Sequence, residues 1–180
     1  MKKIILLLLL PVLLLNAQVE IPVLKNYAND FTNTLSAPEL SSLNSKLQRF
    51  DDSTSNQVVF LMISSLKGYS LESYTYETAA KNQIGSRKNN NGVLFFVSKD
   101  DRKMRIEVGY GLEGVLTDAL TSSIQRNEVR PYFKQGDYYS GISAGINAII
   151  SASKGEYKGE GKDKDGNKKG FPVIFIVMVI

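Results

Sequence analysis

The chain has 180 residues, no Cys, no His, no Trp and a formal net charge of +4. That length holds one domain with room for terminal segments, and 43% apolar residues are enough to fill a core. Without Cys or His there are no disulfides, zinc-thiolate centres, thiol nucleophiles or imidazole bases, so any bound metal rests on oxygen, as Ca²⁺ or Mg²⁺ does.

Residues 1–17 read MKKIILLLLLPVLLLNA. Two lysines precede a short apolar run, and Ala17 provides a small residue at the exit. This is the pattern of a secretory signal peptide. The run rises about 18 Å as a helix, short of the roughly 30 Å hydrocarbon core. Position 18 is Gln, which excludes a bacterial lipoprotein.

The folded part is expected over 18–153. Ser36, Pro38 and Glu39 form a helix start with a capping box, and Leu40, Leu43, Leu47 and Phe50 follow at helical spacing. The polar run 51–55 is expected to end that helix. Residues 57–64 (QVVFLMIS) form a near-continuous apolar strand, the pattern of a strand covered on both faces. A second helix runs from Ser70 to about Ile84. After the turn at 89–92 comes a second buried strand, 93–98 (VLFFVS). A polar tip leads to a third strand, 104–108, with Met104, Ile106 and Val108 inward and Arg105 and Glu107 outward. Three glycines interrupt the next stretch. Thr117 then caps a helix that Pro131 is expected to break, and Asp137 caps a last helix striped with Ile142, Ile146, Ile149 and Ile150. The element order predicts an α/β or α+β sandwich around a mixed sheet.

Residues 154–170 are Gly and charge, a flexible linker. Residues 171–180 (FPVIFIVMVI) rise about 15 Å as a helix, half a bilayer. They read as the start of a transmembrane helix that continues beyond residue 180. The leader holds two lysines, and the linker holds six lysines and four acids. Fourteen basic and fourteen acidic residues remain over 18–153. The expected domain is neutral, and a nucleic-acid partner loses its electrostatic basis. No P-loop, dinucleotide fingerprint or nucleophile elbow is present, and no organic cofactor is expected.

The stretch 91–118, NGVLFFVSKDDRKMRIEVGYGLEGVLTD, closely resembles the signature of the TPM domain family. That family includes thylakoid-lumen photosystem II repair proteins and bacterial envelope proteins. Residues 57–72, Ile84-Gly85 and Gly136-Asp137-Tyr138 fit the same pattern, and the resemblance covers about 25–153. It implies a three-layer α/β/α sandwich. It also implies the bacterial layout of signal peptide, domain, linker and membrane helix. The expected role is an accessory, assembly or repair factor for a membrane or envelope complex, with the domain in the periplasm or outside the cytoplasmic membrane. The alternative the resemblance offers is an acid phosphatase that uses carboxylates and a metal.

The resemblance also implies a Ca²⁺ or Mg²⁺ site. Asp30, Glu113, Asp118 and Asp137 recur in the family motif, and Asn91 stands where the family favours an acid. Loop ends meeting at one sheet edge would supply the six to eight oxygens that Ca²⁺ takes. Each acid also has a structural reading: a turn residue for Asp30, a solvated side chain for Glu113, the first turn of a helix for Asp118 and an N-cap for Asp137. Arg105 is read either as an anion-binding residue or as the partner of Glu107 in a surface ion pair. Tyr110 either lines a pocket or covers the core. No catalytic residue is assigned.

Overall fold

In a computed structural model of the chain, the described residues are 20–86 and 88–157. The expected leader 1–17, most of the linker and the apolar segment 171–180 lie outside them. Among the described residues no helix is long and apolar enough to cross a membrane.

The described chain folds as β1 (Ala28–Asp30), α1 (Ala37–Thr54), β2 (Gln57–Ile63), α2 (Leu71–Lys81), β3 (Gly92–Ser98), β4 (Lys103–Val108), a single 3₁₀ turn (Tyr110–Leu112), α3 (Asp118–Ile124), a π turn (Gln125–Val129), α4 (Arg130–Phe133) and α5 (Tyr138–Ser153). The strands lie in the order β1-β2-β3-β4. β1 and β3 run parallel to β2, and β4 runs antiparallel to β3. The sheet is mixed, as expected.

Alternation along the central strands divides the core in two. Val58, Phe60 and Met62 of β2 and Val93, Phe95 and Val97 of β3 face one side, where Leu43, Leu47 and Phe50 of α1 and Ile142, Ile146 and Ile149 of α5 cover them. Val59, Leu61, Leu94 and Phe96 face the other side, where Tyr74 of α2 packs on them. Both faces are covered, which is why both strands read as unbroken apolar runs. The result is a three-layer α/β/α sandwich. The β1-α1-β2 and β2-α2-β3 crossovers step the same way across the sheet, yet their helices lie on opposite faces. One of the two therefore departs from the usual right-handed crossover.

Several boundaries differ from expectation. β1 was not anticipated, because three residues carry no readable period. α1 runs through the polar stretch to Thr54 and stops only where Ser55 takes a left-handed φ of 60°. Its start is as expected: Glu39 Oε2 accepts the Ser36 N–H and hydroxyl, both at 2.7 Å. Pro131 does not break its helix. The π turn ends two residues before it, and α4 carries Pro131 in its first turn. Proline has no N–H and its ring crowds the carbonyl one turn back; a widened turn just upstream and an early helical position accommodate both.

Candidate functional site

The structure does not gather the five expected metal ligands at one sheet edge. Asp30 closes β1 and pairs in register with Met62, which pairs with Val97. Asn91 lies six residues before Val97, just ahead of β3. The two are thus about 20 Å apart along the strands. Asp137 shares the Asp30 end: the neighbouring Tyr138 ring lies 5.2 Å under the Lys99 ammonium, which donates to Thr34 Oγ1 at 2.9 Å. Tyr110 and Glu113 leave β4 at the opposite end, where β3 begins, and Asp118 opens α3 beyond them. The reason is topological. β4 is antiparallel, so the Gly-rich loop that follows it emerges at the end of the sheet away from β1's terminus.

Hydrogen bonding narrows the set further. Asp30 Oδ1 accepts from Thr32 N–H at 2.8 Å and from the Thr32 hydroxyl at 2.6 Å, while Oδ2 accepts from the N–H groups of Thr34 and Leu35, each at 2.8 Å. Four donors saturate one carboxylate. Asp30 thus builds the turn from β1 to α1. Asp137 Oδ1 accepts the Ser140 N–H at 3.0 Å, the N-cap of α5. Asn91 is buried; its Nδ2 donates to the Ser55 carbonyl and to Asn56 Oδ1, and its Oδ1 accepts the Ser86 N–H at 3.0 Å. Its amide ties the α2–β3 loop to the α1–β2 loop and needs both a donor and an acceptor. Glu113 and Asp118 remain exposed, with no side-chain partner among the described residues. No three Asp or Glu side chains among the described residues converge as a metal site. The five residues do not fit Ca²⁺ or Mg²⁺ as one centre.

The ion-pair reading of Arg105 holds. Its Nε donates to Glu107 Oε2 at 2.7 Å, and the buried Thr75 hydroxyl donates to the same oxygen at 3.0 Å. This arrangement pins β4 to α2. At the β3–β4 tip, the Asp101 carboxylate accepts from Ser98 Oγ at 2.6 Å, Leu66 N–H at 2.6 Å and Ser65 Oγ at 3.0 Å. The Ser98 hydroxyl, then the Leu66 amide, hold its pKa below the usual aspartate range. On the far edge, the Tyr27 hydroxyl donates to Asp51 Oδ2 at 2.7 Å, and that bond to a carboxylate pushes its pKa up to about 12.

A concavity of about 630 Å³ lies between α2 and β4. Ile84 and Leu94 contribute to its apolar lining. Two exposed tyrosines line it from opposite walls, Tyr76 of α2 at 67% and Tyr110 at 80% exposure. Tyr110 therefore does not cover the core. Among the described residues its only charged lining residues are Glu107 and Glu113. The glycines beside it serve close backbone approach. A Cβ on Gly109 would run into the Asn90 carbonyl, and one on Gly111 into that of Asn89. In their place, Gly109 N–H donates to Gly92 O at 2.8 Å and Gly111 N–H to Asn90 O at 3.0 Å. Sequence reasoning singled out Tyr110 and Glu113 but missed Tyr76. Its solvent-facing position on a weakly amphipathic helix was the only available signal.

Three comparisons with known proteins bear on identity. The family model described as TPM domain matches residues 28–152. A solution NMR structure of the N-terminal domain of a P. gingivalis protein is 32% identical, with a TM-score of 0.67, covering 72% of this chain and 83% of that one. The BA42 protein of the psychrophilic bacterium Bizionia argentinensis is 22% identical with a TM-score of 0.59, covering 74% and 90%. The N-terminal domain of Corynebacterium glutamicum cg2496 is 16% identical with a TM-score of 0.57, covering 84% and 96%. These last two share the fold. No curated relative matches the chain. With the family model spanning nearly all of the described sandwich, the chain belongs to the TPM domain family.

Proposed function

We propose that this chain is an exported, membrane-tethered TPM domain that works by binding, as an accessory, assembly or repair factor for envelope proteins. One observation carries the reading: the expected acids are committed to turns and caps or lie at opposite sheet ends, whereas the α2–β4 groove stands open with exposed tyrosines. A binding domain needs a shaped surface and no convergent nucleophile and base. Export and tethering rest on the leader pattern of 1–17 and the apolar segment 171–180.

The alternative is a metal-dependent acid phosphatase. It needs carboxylates that together hold a metal and activate water, or an Asp nucleophile. The test uses the full chain in detergent, with p-nitrophenyl phosphate as substrate and Ca²⁺ or Mg²⁺ added across acid to neutral pH. The binding reading expects no release of nitrophenol above the blank. Turnover that disappears in Asp118→Asn would overturn it in favour of the enzyme.

A further inference from the structure

The ladder between β3 and β4 has a readable phase. In antiparallel pairs the hydrogen bonds join every second pair of opposed residues. Gly109 N–H donates to Gly92 O, so 92/109 is a bonded pair. The register then makes 94/107, 96/105 and 98/103 bonded pairs as well. Met104, Ile106 and Val108 therefore turn their N–H and C=O groups away from β3. No hydrogen bond to those groups occurs among the described residues. β4 is the sheet's edge, and it presents an unpaired row.

The groove opens beside that edge, on the face that carries Arg105 and Glu107. Among the described residues its lining charge is one-sided: two glutamates contribute to it and no basic residue does. Glu107 is already held by Arg105 and Thr75, which leaves the Glu113 carboxylate as the lining charge with no partner among the described residues. Tyr76, Tyr110 and Glu113 line the same groove; tyrosine rings that share a groove with a free carboxylate favour a cation, because the ring face is electronegative and the carboxylate completes the charge balance.

Resting on the binding reading above, we infer that the β4 edge and its groove take an extended peptide segment of a partner protein. The segment pairs with the outward groups of Met104, Ile106 and Val108 and places one Lys or Arg side chain among Tyr76, Tyr110 and Glu113. Strand pairing supplies sequence-tolerant affinity, and the groove selects the cation. Both parts belong to one ligand, since alternate side chains of an added strand fall on the groove side.

The test selects phage-displayed random dodecapeptides on the full chain in detergent, then measures the selected peptides by fluorescence anisotropy. Selected sequences are expected to carry a Lys or Arg within a β-branched run. Glu113→Gln and Tyr110→Ala should each weaken binding about fivefold or more. Both side chains are exposed, and unchanged thermal melting confirms that the variants fold. N-methylation along the peptide should abolish binding at every second residue only. Amide exchange at Met104, Ile106 and Val108 should slow on binding. No enriched peptide, enrichment without a basic residue, indifference to Glu113→Gln or the absence of a two-residue methylation pattern would each overturn the inference. These outcomes are independent of the phosphate-ester assay, whose result alone decides the binding reading.

Discussion

The Asp101 carboxylate accepts the Leu66 N–H at 2.6 Å, tying the β3–β4 tip to the loop that leaves β2. Ser98 and Ser65 hydroxyls complete the cradle. These bonds favour the ionised carboxylate and lower its pKa. A carboxylate with a depressed folded pKa contributes stability above its unfolded pKa, and that contribution fades as pH falls through the folded value. Asp101→Asn should therefore lower stability near neutral pH by about 1–2 kcal/mol. The loss should shrink in acid below the ordinary aspartate range. Urea unfolding at a series of pH values checks this; a pH-independent loss would contradict it.

Gly111 needs space, not a left-handed backbone, because a Cβ there meets the Asn89 carbonyl. Gly114, three residues on, faces nothing within 4 Å. Gly111→Ala should cost about 1–3 kcal/mol as the loop is forced off the Asn89–Asn90 turn. Gly114→Ala should be neutral within roughly 0.5 kcal/mol. Paired denaturant midpoints measure the difference, and equal effects would refute the backbone-approach account.

Thr78 of α2 is fully buried, and its Oγ1 has no partner among the described residues. A buried hydroxyl without a hydrogen bond carries its desolvation cost unrepaid. Thr78→Val keeps the shape and removes that cost. The variant should match the parent or gain about 1 kcal/mol in chemical denaturation. A loss of comparable size would mean that the hydroxyl is paired.

Asn91 donates to two oxygens, the Ser55 carbonyl and Asn56 Oδ1. Asn91→Asp would set a carboxylate against both acceptors, at a cost of about 2 kcal/mol. Protonation restores a donor, so the cost should shrink toward low pH. Calorimetric melting at neutral and acid pH distinguishes this from simple tolerance of the acid.

Much of the fold was legible because its signals are local. The capping box at Ser36 and Glu39, the Leu43-Leu47-Phe50 stripe and the Asp137 cap of α5 all act within a few residues. The apolar runs of β2 and β3 announce burial on both faces, which requires three layers. The candidate site was less legible. The residue types of Tyr110 and Glu113 were available, but the exposure of Tyr110 and the ends to which Asp30 and Asn91 travel were not. Only the direction of β4 puts the Gly-rich loop far from β1.

The sequence by itself determined the mixed α/β character, the main helices and central strands, and the confinement of any polar chemistry to groups other than thiol and imidazole. Tertiary structure decided the three-residue β1, the faces taken by α1 and α2, the split of the five expected ligands, and the placing of Tyr76 and Tyr110 on one groove. The physical reason is range. Periodicity and capping report which side of an element is buried, and they act over a turn or two. Which distant element covers that side is set by packing between segments far apart in the chain, and no local pattern records it.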